Sequence, residues 1–203
     1  MELDQGWNNF VWLGEDGTDA ETALECLADQ YAIAYRFDAL SQTFQRYVPG
    51  HCSQAGLCNI ANVNRLDTLL VLFTGGGLLC GYERAPASML GPTQTPTPEG
   101  THVTPINLPS PITMELHQGW NNFVWLGEDG TDPETALECL ADQYAIAYRF
   151  DALSQTFQRY VPGRCSQAGV CNVANVNRLD SLLVLVTSEG LVCGYEFTPI
   201  PIP

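Results

Sequence analysis

The chain has 203 residues and no lysine, with 8 Arg against 23 Asp and Glu for a net charge of −15. A surface this acidic is repelled by nucleic acid and by anionic lipid, so neither is an expected partner. Hydrophobic residues make up 45%, ample for folded modules, and no run approaches the roughly 18–20 apolar residues of a membrane span, so no membrane insertion is expected.

The chain repeats itself. Residues 1–83 and 114–196 align without a gap and differ at ten positions, among them Asp4/His117, His51/Arg164 and Gly76/Glu189. This divides it into module 1 (1–83), a Pro/Thr-rich linker with a strand-like second half (84–113), module 2 (114–196) and a C-terminal tail (197–203). Each module is long enough for one small core. Met1 is matched by Met114, so it reads as a repeat residue, and the chain as a processed or partial product.

Within a module the first residues alternate. In the second copy Ile112, Met114 and Leu116 fall on one face of an extended segment. After Gly6-Trp7-Asn8-Asn9, Phe10 to Leu13 reads as a short strand ended by Gly14. Thr18 and Glu21 have capping-box spacing, and Pro133 stands where a first-turn proline is tolerated. Ala23, Leu24, Leu27 and Ala28 then predict a helix of about twelve residues.

Tyr31, Ile33, Tyr35 and Phe37 alternate with Ala32, Ala34 and Arg36, which predicts a half-buried strand. Asp38 to Ser41 turns, and Thr43 to Val48 returns as the second arm of a hairpin, with Phe44 and Tyr47 inward. Leu69 to Phe73 is a nearly all-apolar strand. Leu78 to Tyr82 closes the module after a turn whose last glycine, Gly77 or Gly190, suits a positive φ. The expected fold class is α+β: two near-identical small antiparallel β modules, each with one helix, stapled by disulfides.

Between them, Arg84 to Thr113 holds seven prolines with many Thr and Ser. Such a segment favours extended polyproline geometry and acts as a semi-rigid spacer. Its Thr-Pro density also suits O-glycosylation, whereas no N-x-[ST] sequon occurs in the chain.

The eight cysteines fall at reproduced spacings, four in each small module. That pattern reads as disulfides formed in an oxidising space, hence an extracellular or cell-surface protein. Four cysteines allow three pairings. The expected ones are Cys52–Cys58, closing a small loop, and Cys26–Cys80, stapling the helix to a late strand. Their second-copy equivalents are Cys165–Cys171 and Cys139–Cys193. A zinc site is the competing reading, but it wants close cysteine pairs or nearby His, and His51 is replaced by Arg164.

Gly6-Trp7-Asn8, Trp12, Ala23-Leu24 and Gln42-x-Phe44-x-x-Tyr47-x-Pro49-Gly50 occur in both copies. Together they resemble β-rich repeats of bacterial secreted and surface proteins with a GWN-x-V-x-W opening. The resemblance covers each module but not the linker. Its motifs look like packing signatures and imply no reaction, and the cysteines depart from its usual pattern.

Catalysis finds little support. His51 and His117 are not shared between copies and His102 lies in the linker, so no Ser–His or Cys–His pair can occur in both modules. Asp38 and Asp67 are formally a carboxylate pair, but they read as turn and helix-start residues. Glu15 to Asp19 is acidic yet lacks calcium-loop spacing, and reads as a capped helix start. No enzyme, cofactor or metal is expected.

The leading reading is an extracellular structural subunit that polymerises with itself, head to tail. The tail Phe197 to Pro203 repeats the pattern of Val103 to Pro109, which precedes module 2, while module 1 begins at Met1 with no such segment before it. The tail is therefore expected to lie against module 1 of a neighbour. Phe197, Ile200 and Ile202 would be the anchors, by analogy with Val103, Ile106 and Leu108, and strand addition the mode. The alternative is a bivalent carbohydrate-binding or adhesion protein. Trp7, Trp12, Tyr35, Tyr47, Trp120 and Trp125 would then stack on sugar rings, with Asn8, Asn9 and Asp38 bonding hydroxyls. The same rings suit the core of a small module, where large aromatics dominate burial.

Overall fold

A computed structural model describes residues 2–27, 30–75, 78–79 and 112–195. In the first module β1 (Glu2–Leu3), β2 (Gly6–Val11) and β3 (Thr18–Asp19) precede helix α1 (Ala20–Ala23) and a 3-10 turn at Glu25–Leu27. There follow β4 (Tyr31–Asp38), β5 (Thr43–Tyr47), β6 (Asn62–Val63), β7 (Thr68–Phe73) and β8 (Leu78–Leu79). The second module runs β9 (Ile112–Leu116), β10 (Gly119–Val124), α2 (Pro133–Ala136) with a 3-10 turn at Glu138–Leu140, and β11 (Tyr144–Asp151). It ends with β12 (Thr156–Tyr160), β13 (Ser181–Val186) and β14 (Leu191–Tyr195). The protein is thus β-rich, with little helix.

Each module is built on a four-stranded antiparallel sheet of the same order, β2-β7-β4-β5 and β10-β13-β11-β12. The apolar run Leu69 to Phe73 forms the interior strand β7. Leu69, Val71 and Phe73 are buried in the module core, while Leu70 and Leu72 point to the opposite face and are half-buried. A strand apolar at every position is one covered on both sides.

The structure departs from the sequence pattern in three places. The opening strand starts at Gly6 rather than Phe10, so the polar Gly-Trp-Asn-Asn run lies inside the ladder opposite Phe73 to Leu70. Pairing with a central strand overrides the weak β preference of Gly and Asn. The buried Asn8 amide is also fully used: it takes the Asp4 N–H at 3.1 Å and donates to the Asp4 carbonyl at 2.7 Å and the Gly6 carbonyl at 3.1 Å. Asn121 repeats this with His117 and Gly119.

The helix is one turn long, continued by the 3-10 turn, not about twelve residues. Its N-cap is Asp19, whose carboxylate accepts the Thr22 N–H at 3.0 Å, rather than Thr18. Leu24 leaves helical geometry at φ −102°, ψ 7°. Ala23, Leu24 and Leu27 are nevertheless buried, with Ala20 beside them, while Ala28 lies outside the described residues and its equivalent Ala141 is exposed, so one tight turn buries the first part of the apolar stripe.

The alternation of β4 is also broken. Tyr31 pairs with Phe73 but Ile33 pairs with Leu72, so Ala32 is an extra residue, a β-bulge. Tyr31 and Ala34 both face the core, and Ile33, Tyr35 and Phe37 turn to the far face. Phe44 goes with them: in the β4–β5 ladder it opposes Phe37 and is 57% exposed, while Tyr47 opposes Ala34 and is buried.

The closing strand pairs with the opening strand of its own module, a partner the sequence pattern left open. In module 2 Leu191, Cys193 and Tyr195 oppose Leu116, Met114 and Ile112. Leu78 likewise opposes Leu3.

Disulfides join Cys52 to Cys58, Cys165 to Cys171 and Cys139 to Cys193. Cys26 is also oxidised; its expected partner Cys80 lies outside the described residues, as do most of the linker and all of the tail. Among the described residues no helix is long and apolar enough to cross a membrane.

The core carries a testable pH dependence. Burial pushes the hydroxyls of Tyr31 and Tyr144 well above the usual phenol range. In the unfolded chain these groups ionise near pH 10. The folded state holds its protons longer, so stability is full below about pH 10 and falls as the pH rises beyond it. Urea unfolding at alkaline pH should show this loss, and Tyr31→Phe with Tyr144→Phe should flatten it. An unchanged slope in that double variant would refute the assignment.

Candidate functional site: the face between the two modules

The far face of each sheet is aromatic. By register it carries Trp7 and Asn9 from β2, Leu70 and Leu72 from β7, Ile33, Tyr35 and Phe37 from β4, and Phe44 from β5. The rings form a connected row: Trp7 to Tyr35 at 6.0 Å, Tyr35 to Phe44 edge-on at 6.4 Å, and Phe37 to Phe44 edge-on at 5.1 Å. Module 2 reproduces it with Trp120, Tyr148, Phe150 and Phe157.

These two faces meet. A slot of about 50 Å³ between them is lined by Tyr35, Phe37, Phe44 and Leu70 together with Tyr148, Phe150, Phe157 and Leu183. At one end the contact closes into shared apolar packing. Val11, Leu13 and Leu66 from the first module fall in one cluster with Val124, Leu126 and Leu179, their equivalents in the second. A second, polar cleft of about 220 Å³ opens beside it, between Arg36, Asp38 and Asp67 of one module and Glu115 and Asn122 of the other.

Two glutamines clip the faces together. Gln42, at the tip of the first hairpin, accepts the Trp120 N–H at 2.8 Å and donates to the Trp120 carbonyl at 3.0 Å. Gln155 does the same to Trp7, at 2.7 Å and 3.0 Å. Each side-chain amide thereby acts as one more backbone unit on the start of the other module's opening strand. The residue under each amide is a glycine. A Cβ on Gly6 would stand 2.7 Å from Gln155 Oε1, and one on Gly119 the same distance from Gln42 Oε1. Both glycines also have φ beyond +100°, a backbone that other residues rarely adopt. The contact is reciprocal, the arrangement of a two-fold interface.

The glycan-platform residues are scattered by the fold. Trp7, Tyr35 and Trp120 lie on the shared face. Tyr47 is in the core beside Tyr31, and burial raises its hydroxyl as well. Trp12 is half-buried and Trp125 is 9% exposed; their indoles donate to the carbonyls of Glu15 and Glu128 and occupy the space a side chain at Gly14 or Gly127 would need. Asp38 is held by its own hairpin: the Ser41 hydroxyl at 2.7 Å and the Leu40 N–H keep its carboxyl below the usual range.

Asp67 pairs with Arg36 at 2.6 Å and caps the Asn64 N–H. Arg36 also reaches Gln45, so Asp38 and Asp67 belong to one structural network. In the acidic loop Asp16 accepts the Arg65 N–H and Asp19 caps the helix, which leaves those carboxylates in structural roles. Among the described residues no cluster of His, Cys, Asp and Glu could hold a metal. The assembly residues Phe197, Ile200, Ile202, Val103, Ile106 and Leu108 lie outside the described residues.

No protein-family model, curated protein or solved structure matches this chain. Gln42 and Gly6 belong to two separate sequence motifs with no direct link between them. The signal that could have joined them is the run Leu69 to Phe73: a strand apolar on both faces needs a second cover, and the described residues place the other module over its far face.

Proposed function

We propose that this protein is an extracellular structural repeat protein, a non-catalytic subunit of a self-assembled filament or surface layer. The observation that carries the reading is the face-to-face contact: the aromatic face of each module meets the same face of its sister. The oxidised cysteines support an oxidising compartment and the resemblance to secreted β-rich repeats agrees with it. Growth of the assembly is assigned to the tail, with Phe197, Ile200 and Ile202 adding as a strand to a neighbour. The two-stranded β1–β8 and β9–β14 ribbons offer edges of the right kind for that addition. Contacts repeated head to tail do not close and yield an open filament.

Glycan binding has less to rest on, because Tyr47 is in the core and the Asn8 amide is spent on its own turn. Electron microscopy of the purified full chain should show polymers, and removal of residues 197–203 should abolish them with the modules still folded. Polymers that survive the deletion refute the tail mechanism. A chain that stays monomeric at every concentration refutes the structural reading.

A further inference from the structure

The intermodule face carries an unusual backbone signature. Among the described residues, five that are not glycine have positive φ: Gln42, Leu66, Asp142, Gln155 and Leu179. Four of these are the equivalent pairs Gln42/Gln155, at φ 54°, and Leu66/Leu179, at φ 68°. Glycine would take this backbone without cost, while a leucine or glutamine is sterically disfavoured there. Both pairs sit at the contact. Gln42 and Gln155 are the clips, and Leu66 lines the cleft that also contains Leu116 and Asn121 of the other module. Strain kept at a site where only the side chain can justify it points to a built interface rather than incidental packing.

The face is also the same in both modules. Trp7, Asn9, Tyr35, Gln42, Phe44 and Leu66 all recur unchanged in module 2, and Thr68 is replaced only by Ser181. Among the described residues that line the face, the modules do not differ in charge, and they differ in bulk only by that one methyl group.

We propose that this face is a homotypic docking surface whose partner is the same face of any module, including one on a second copy of this chain. Within one chain the linker keeps the two modules at high effective concentration, so they dock to each other first. Between chains at high concentration, the same contact joins module to module without a tail. The inference rests on the structural reading above but uses a different contact from the tail.

The test uses the full chain with a protease site inserted in residues 90–100, cleaved after folding and with the disulfides intact. The two modules then have different masses and native mass spectrometry distinguishes their pairs. At equilibrium, mixed and like pairs should coexist at about 1:2:1, the statistical outcome for interchangeable isologous faces. A second sample carries Gln42→Gly and Gln155→Gly, which suit the positive φ but remove the clips. Its pairs should dissociate at a concentration at least about tenfold higher, with far-UV circular dichroism unchanged.

Only mixed pairs after equilibration, separate modules at tens of micromolar (roughly the range where a weak specific dimer still forms), or pairs indifferent to loss of both glutamines would each overturn the proposal. Like pairs in a protein whose full chain never polymerises would uphold this inference and sink the structural function. Polymers built from chains whose modules form only mixed pairs would do the reverse.

Discussion

Serine at Cys139 and Cys193 is expected to lower the unfolding free energy of the second module by about 4 kcal/mol, because the lost cross-link closes a long loop. The two cysteines are 54 residues apart, so the cross-link removes much of the freedom of the unfolded chain. It also ties the 3-10 turn at Glu138–Leu140 to the closing strand, two elements that share no backbone ladder. Cys165 and Cys171 are 6 residues apart, and replacing that pair should cost about 2 kcal/mol by the same relation. Urea unfolding of the two variants under non-reducing conditions gives the comparison. Equal losses would mean that loop length is not what governs these cross-links.

Phenylalanines on opposite faces of one sheet should behave in opposite ways. Phe123 is 0% exposed in the second core, and Phe123→Ala should cost about 3–5 kcal/mol, the transfer term plus the cavity left behind. Phe157 is 54% exposed at the mouth of the intermodule slot. Phe157→Ala should cost about 1 kcal/mol or less in stability, since little of its ring leaves contact with protein. The pair of measurements tests the β-bulge directly. Were the alternation unbroken, as the sequence pattern alone suggests, Phe157 would be a core residue and the two losses would be alike.

That contrast shows where sequence reasoning stops. Strand β7 was legible because five apolar residues in a row have few other uses. The β4–β5 hairpin was legible because Asp38 and Ser41 form a local turn. The Cys52–Cys58 loop was legible from spacing.

The facing of β4 was not legible. A single extra residue, Ala32, reverses every side chain after it, and nothing in the tyrosine-rich pattern marks the insertion. The helix was overread because Ala23, Leu24, Leu27 and Ala28 fit a helical stripe whether one turn or three are formed. The pairing of β9 with β14 was hidden because it joins the two ends of a module, a choice made by topology rather than by local preference. The site was hidden for a similar reason: Gln42 and Trp120 are 78 residues apart, and a glutamine at a hairpin tip looks like any solvated turn residue.

Pairing each module's first strand with its last has a mechanical consequence. Ile112 and Tyr195 stand opposite each other at the same end of the β9–β14 ribbon. A pull along the chain therefore reaches module 2 as a peeling load on that ribbon, opening one pair of strand residues after another, instead of shearing the whole ladder at once. Peeling from Tyr195 passes Gly194 and then meets Cys193, which is bonded to Cys139 on the 3-10 turn. From there the force on the C-terminal side is borne by a covalent bond, and β9 alone is free to strip away. The module should yield early, lengthen by a short segment, and then hold.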